Sequence, residues 1–172
     1  MNNVYLIGFM GCGKSTIAKN LAEVLNRPCL DLDQWIERQL GRTIPELFHE
    51  EGEAYFRDVE TYYLQETASF IHTVVSTGGG AVGREINRQF LKKQTTIYLE
   101  WPFEILYKRI AGDTNRPLSK SYDQLLQLYE ARRAFYEESA VYTIKCQDET
   151  PYVIVRKVLK LLQNNEKKGE KR

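Results

Sequence analysis

The chain lacks most features that would commit it to an unusual setting. Charge of one sign is not in excess: 24 lysines and arginines stand against 23 aspartates and glutamates, a formal net charge of +1. That balance gives no bulk attraction to nucleic acid or to an anionic membrane, so neither is expected as a partner. Long hydrophobic runs are missing, and no stretch has the length a bilayer span requires. The opening Met1-Asn2-Asn3-Val4-Tyr5 has neither the basic region nor the apolar length of a signal peptide. Cysteine is scarce: Cys12, Cys29 and Cys146 are three, an odd number, with no metal-ligand spacing. With no export signal, they are expected as reduced thiols of a cytoplasmic protein. Cys29 and Cys146 lie in apolar, strand-like runs and are expected in the core. Internal repeats and low-complexity linkers are also absent, so residues 1–172 are expected to form one domain.

What is present is ordinary globular material, 42% hydrophobic and 27% charged over 172 residues, enough to bury a real core. Apolar runs alternate with longer amphipathic stretches, the pattern of a parallel sheet with crossover helices. Strands are expected at Val4–Ile7, Cys29–Leu32, Thr73–Ser76, Thr96–Leu99 and Tyr142–Cys146. Helical spacing runs from Ser15 to Leu25, where Ile17, Leu21, Ala22 and Leu25 share a face. It recurs over Glu53–Phe70, Phe103–Ile110, Tyr122–Glu138 and Val153–Leu162. Two segments break the pattern. Gly112–Ser121 is polar, holds Gly and Pro, and joins two helices, which suits a mobile lid. Asn164–Arg172 is a charged tail expected to fray.

One motif carries chemistry by itself. Gly8-Phe9-Met10-Gly11-Cys12-Gly13-Lys14-Ser15 fits G-x-x-x-x-G-K-[ST], with an apolar strand running in and a helix running out. Gly11 and Gly13 let the loop fold back so that backbone N–H groups, Cys12 and Thr16 included, converge on phosphate oxygens. The helix N-terminus adds its dipole. Lys14 is expected to reach the β- and γ-phosphates of ATP, and the Ser15 hydroxyl to coordinate Mg²⁺. Cys12 reads as a small residue that fits the loop, with a redox-sensitive thiol as the lesser alternative.

The loop alone does not choose among kinases, GTPase switches and motor ATPases. No D-x-x-G and no N-K-x-D occurs, which excludes the usual guanine-reading pattern, and no apolar run ends in Asp-Glu. Acidic residues instead end the second strand, at Asp31 and Asp33. Residues two apart on a strand point the same way, so both carboxylates are expected beside the phosphate loop, where ligands sit in open α/β sheets. One can hold hydrated Mg²⁺; the other can orient a substrate hydroxyl. The alternative for Asp31 is a plain N-cap on a helix starting near Gln34. Arg57 and Glu60 read by themselves as a surface ion pair, Arg116 as a solvated loop charge, and Gly78-Gly79-Gly80 as a flexible turn or a place where a ligand closely approaches the backbone.

Together these pieces resemble one family. Gly8-x-Met10-Gly11-x-Gly13-Lys14-Ser15-Thr16, Asp31-x-Asp33, Gly52-Glu53-x-x-Phe56-Arg57-x-x-Glu60, Ser76-Thr77-Gly78-Gly79-Gly80, Arg116-Pro117-Leu118 and Arg132-x-x-x-Tyr136 follow the order and approximate spacing of shikimate kinases, from Val4 to about Leu162. The chain departs from the pattern at Ala134, where the family often has Pro, and at Ser119, where it often has Leu. Gln147–Pro151 is acidic where a basic residue near adenine is common. The histidines, His49 and His72, match no motif and read as structural.

The resemblance implies an α/β P-loop NTPase of the nucleoside-monophosphate-kinase type, with a five-stranded parallel sheet, flanking helices and a mobile lid. It implies ATP-dependent phosphorylation of the 3-hydroxyl of shikimate, with Mg²⁺ as cofactor; a monomer is expected, although no residue pattern reports the oligomeric state. By resemblance Asp33 contacts the shikimate hydroxyls, Arg57 and Arg132 hold its carboxylate, and Gly79 and Gly80 line the site. Arg116 closes on the transferring phosphate, Arg109 stacks near adenine, and Asp31 serves Mg²⁺ through water with Ser15. A sugar-acid kinase, such as one acting on gluconate, and a nucleotide-binding module without turnover are the competing readings.

Overall fold

The structure is a computed structural model in which residues 3–111 and 121–169 are described, with side chains as far as Asn164. Its centre is strand β1 (Val4–Ile7), every residue of which is buried. A strand covered on both faces has no use for polar alternation, which is why Val-Tyr-Leu-Ile reads as a continuous apolar run. Strand β3 (Val74–Ser76) pairs with it in parallel on one side and β4 (Thr95–Glu100) on the other. The edges are β2 (Cys29–Asp31) beside β3 and β5 (Tyr142–Lys145) beside β4, also parallel, so the order is β2-β3-β1-β4-β5. The five expected strands are all present. Cys146 is buried as expected, its N–H donating to Glu100 O at 2.8 Å. Cys29 is exposed, contrary to expectation: it opens a three-residue edge strand that no further strand covers.

Helix α1 (Lys14–Leu25) leaves the phosphate loop and buries Ile17, Ala18, Leu21 and Ala22. It lies against β2 and β3 and against helix α8 (Pro151–Gly169), which continues beyond the expected Leu162 boundary. Helices α5 (Glu85–Lys92) and α7 (Tyr122–Ser139) pack on β4 and on each other. Ser121 starts α7 with a capping box, its hydroxyl accepting from Gln124 N–H while Gln124 returns a bond to the Ser121 N–H.

Beyond β2 three helices form a lobe: α2 (Leu32–Leu40), α3 (Ile44–Glu50) and α4 (Gly52–Glu66). Helices α3 and α5 were not legible from apolar spacing, being seven and eight residues long. Thr43-x-x-Glu46 at the start of α3 is nevertheless a complete capping box. Helix α4 stops at Glu66, and a single 3-10 turn at Thr67–Ser69 takes up part of the stretch expected to be helix. His49 and His72 are exposed, and His72 adopts a positive φ of 55° in the turn before β3. The expected lid lies outside the described residues, Ser121 excepted, and Arg116 lies outside with it.

Candidate active site

The C-terminal ends of β1, β2 and β3 bring together the phosphate loop, the two aspartates and the glycine run. Gly11 and Gly13 hold φ of 77° and 81°, a region where a Cβ is penalised and glycine is not. The loop thereby folds back over the start of α1. The Lys14 ammonium turns into it, donating to Gly8 O at 2.8 Å and Phe9 O at 3.0 Å, with Cys12 Sγ at 3.5 Å. Lys14 is buried, so this cation is held by loop carbonyls. Cys12 is fully buried beneath it, which favours the small-residue reading over a reactive exposed thiol. Thr16, on the first turn of α1, is exposed.

Ser15 Oγ donates to Asp31 Oδ2 at 2.5 Å and lies 3.4 Å from Ser76 Oγ. The other oxygen of Asp31 accepts from Gln34 N–H at 3.2 Å. Asp31 is therefore the N-cap of α2, the alternative the sequence left open, and it also faces Ser15. Asp33 does not share a strand with Asp31 as expected: β2 ends at Asp31, and Asp33 lies in the first turn of α2. It still reaches the site, because α2 starts at the carboxyl end of the sheet. Burial, then Glu60, then Asp31 push the Asp33 carboxyl up from 3.8 to about 6, against the pull of Lys14.

The three glycines after β3 each admit a different group. A Cβ on Gly78 would come within 2.8 Å of both Asp33 Oδ1 and Glu60 Oε1; one on Gly79 would lie 3.3 Å from Met10 N in the phosphate loop. One on Gly80 would lie 2.6 Å from Arg57 Cζ. Close approach to backbone is indeed what this run provides, and the groups that approach are the protein's own. The sequence could not reveal this, since the contacting residues are distant in the chain.

Arg57 and Glu60 are more than a surface pair. Nη1 of Arg57 donates to Glu60 Oε2 at 2.6 Å, and the Glu60 side chain is only 1% exposed. Glu53 adds a longer contact at 3.4 Å, and Phe48 and Phe56 lie against the guanidinium at 5.9 and 5.2 Å. Burial raises the Glu60 carboxyl above its ordinary range, opposed by Arg57 and then Arg132. Arg132 on α7 thus joins Arg57 in acting on the buried Glu60 carboxylate. Tyr136, one turn beyond Arg132, donates its hydroxyl to Gly79 O at 2.6 Å and stacks on Tyr98 at 5.1 Å. That tether was missed, although Arg132-x-x-x-Tyr136 places both side chains on one helix face.

Helix α6 (Phe103–Ala111) closes the other side of the loop. Leu106 and Ile110 press on Gly11, where a Cβ would meet Ile110 Cγ1 at 2.9 Å. Arg109 Nη1 donates weakly to Gly11 O at 3.5 Å, and its Cζ lies 3.9 Å from the centroid of the Trp101 ring. Among the described residues, no three or more His, Cys, Asp or Glu side chains cluster as a metal site. No helix among them is long and apolar enough to cross a membrane.

A parallel sheet in this order, a phosphate loop between its central strand and α1, and an acceptor-side cluster of arginines and carboxylates define a P-loop phosphotransferase that uses ATP. Residues 10–163 match the family model described as Shikimate kinase. A shikimate kinase of Enterococcus faecalis is 44% identical over 168 residues, covering 95% of this chain and 99% of that protein. One from Persephonella marina is 40% identical, covering 92% and 98%. The solved structure of the Acinetobacter baumannii shikimate kinase in complex with shikimate superposes with a TM-score of 0.89 at 41% identity, covering 96% of this chain and 94% of that one. The chain belongs to the shikimate kinase family.

Proposed function

We propose that this chain transfers the γ-phosphoryl group of ATP to the 3-hydroxyl of shikimate, releasing shikimate 3-phosphate and ADP. The observation that carries the reading is the glycine run Gly78–Gly80. It abuts the phosphate loop through Gly79, and Asp33 and Arg57 crowd Gly78 and Gly80 on either side. An acid substrate seated there has a guanidinium for its carboxylate and a carboxylate for its hydroxyl, a few ångströms from the phosphate-binding backbone.

Arg57, with Arg132, holds the carboxylate; guanidinium forks offer paired donors in one plane. Glu60 and the aromatic rings fix the Arg57 rotamer in advance. Asp33 accepts a hydrogen bond from the 3-hydroxyl and directs its oxygen at the γ-phosphorus. The new O–P bond forms as the bond to the β-phosphate oxygen breaks, and the hydroxyl proton passes to Asp33 or to a phosphate oxygen. Phosphoryl transfer asks mainly for positioning and charge neutralisation. Lys14 exchanges its loop carbonyls for the β- and γ-phosphates, and the N–H groups of Gly11 to Thr16 receive the remaining oxygens. Arg116 closes on the transferring group, and Arg109 faces the base.

Ser15 and Asp31 suit Mg²⁺, a hard cation that keeps several waters and needs few protein oxygens. Bound there with ATP, it would neutralise charge on the β- and γ-phosphates. The reading takes the chain to be one kinase domain acting as a cytoplasmic monomer. Product analysis tests it: ³¹P NMR after incubation with Mg²⁺, ATP and shikimate should show a phosphomonoester at the 3-position. A phosphate at another hydroxyl would overturn the placement of Asp33.

A further inference from the structure

Arg109 is exposed, yet the ring beneath it is not: Trp101 is only 2% exposed. The two belong to one structural unit. Trp101-Pro102 is the lead-in to α6, Pro102 O accepting from the N–H groups of Ile105 and Leu106. Arg109 lies two turns further on. Side chains on a helix lean toward its N-terminus, so the Arg109 stem runs back along α6 and lays its guanidinium on the indole at 3.9 Å. The main chain that carries the indole is anchored by Tyr129, whose hydroxyl donates to the Trp101 carbonyl O at 2.9 Å. Among the described residues the Nε1–H of Trp101 has no hydrogen-bond partner, so polar bonding to them does not explain why an indole lies here. What the ring offers the site is its π face.

We propose that Trp101 is a positioning residue that holds the Arg109 guanidinium flat and against Gly11, leaving its outer face as a ready platform for the nucleotide base. A free arginine on an exposed helix face samples many rotamers, and a base must immobilise it on binding. Stacking on a buried indole removes that freedom beforehand, and the contact to Gly11 O ties the platform to the phosphate loop. The base then sits third in a stack of indole, guanidinium and purine. This inference rests on the reading of Arg109 as the base-side residue.

The test separates the two. ADP and inorganic tripolyphosphate are titrated against the wild type, Trp101→Leu, Trp101→Phe, Arg109→Ala and the double variant Trp101→Leu/Arg109→Ala, all checked by circular dichroism. Trp101→Leu should weaken ADP about 5- to 20-fold and leave tripolyphosphate within about 2-fold, from the magnitude of cation–π and preorganisation effects. Trp101→Phe, which keeps an aromatic face, should recover most of the loss. In the Arg109→Ala background the leucine change should cost nothing more. Loss of tripolyphosphate affinity in parallel with ADP, or an undiminished effect in that background, would show that Trp101 acts only by supporting the fold. If Arg109→Ala weakens ADP and Trp101→Leu does not, Trp101 has no positioning role. If Arg109→Ala itself leaves ADP affinity unchanged, the base-side reading of Arg109 fails, and the inference fails with it.

Discussion

The Arg57 guanidinium fills the space in which any other residue at position 80 would carry its Cβ. A Cβ there would sit 2.6 Å from Arg57 Cζ, inside van der Waals contact. Gly80→Ala should therefore displace Arg57 Nη1 and Nη2, the atoms that also bond Glu60 and Glu53, and move the guanidinium off the site. Loss of a charge-assisted hydrogen bond is worth roughly 1.5–3 kcal/mol, or about 10- to 100-fold. The KM for shikimate should rise by that factor and the KM for ATP should stay within about 2-fold. Steady-state kinetics with each substrate varied would show it; an unchanged shikimate KM would mean that Arg57 does not touch the acid.

Asp33→Asn should lower kcat by about 10²- to 10⁴-fold, the usual scale for a positioned acid–base group. ADP affinity, measured by calorimetry, should change little. Near-normal kcat would remove Asp33 from the chemistry.

The same substitution should stabilise the fold, with a sign set by linkage. The Asp33 carboxyl lies at about 6 in the folded chain against an ordinary 3.8. The folded state thus keeps a proton that the unfolded state releases, and stability declines as pH rises from about 4 through 6. Discounted for the solvent-facing part of this half-buried group, the effect is about 1–2 kcal/mol. Asp33→Asn should gain that much over wild type at pH 7.5 and none at pH 4, by urea denaturation. In kcat/KM, which reports the free enzyme, wild-type activity should fall tenfold per pH unit below about pH 6, since Asp33 must be ionised to accept the hydroxyl's hydrogen bond.

Asp31→Ala should show two separable losses. Without its cap, α2 should destabilise the chain by about 1 kcal/mol. The Mg²⁺ concentration needed for half-maximal rate should rise as well, because Ser15 loses its acidic neighbour. Asp31→Ser, which restores a capping hydroxyl and no charge, should recover the stability and leave the Mg²⁺ requirement high.

The reading of the sequence succeeded where local pattern and final position coincide. Val4–Ile7 is apolar throughout because β1 is central, and Gly8–Ser15 follows it with its loop chemistry intact. It failed where three-residue β2 was asked to carry a two-residue alternation: the chain enters α2 directly after Asp31, so Asp33 reaches the site from a helix. Cys29 reads as core because its neighbours are apolar, but an edge strand with exposed positions needs no polar signature. The separate occupants of Gly78, Gly79 and Gly80 come from α2, α4 and the phosphate loop. Contacts between positions some twenty to seventy residues apart leave no local trace. Neither does the indole beneath Arg109, since an aromatic residue before a helix reads as core.

The most direct measurement is coupled ADP release with ATP, Mg²⁺ and a panel of hydroxy acids that includes shikimate, 3-deoxyshikimate and gluconate. Turnover should occur with shikimate and vanish with the 3-deoxy compound, because the acceptor oxygen is missing while the carboxylate still binds. Turnover with gluconate in place of shikimate would keep the phosphotransferase and overturn the acceptor assigned to Asp33 and Arg57. ATP binding without turnover of any acid would make the chain a binding module.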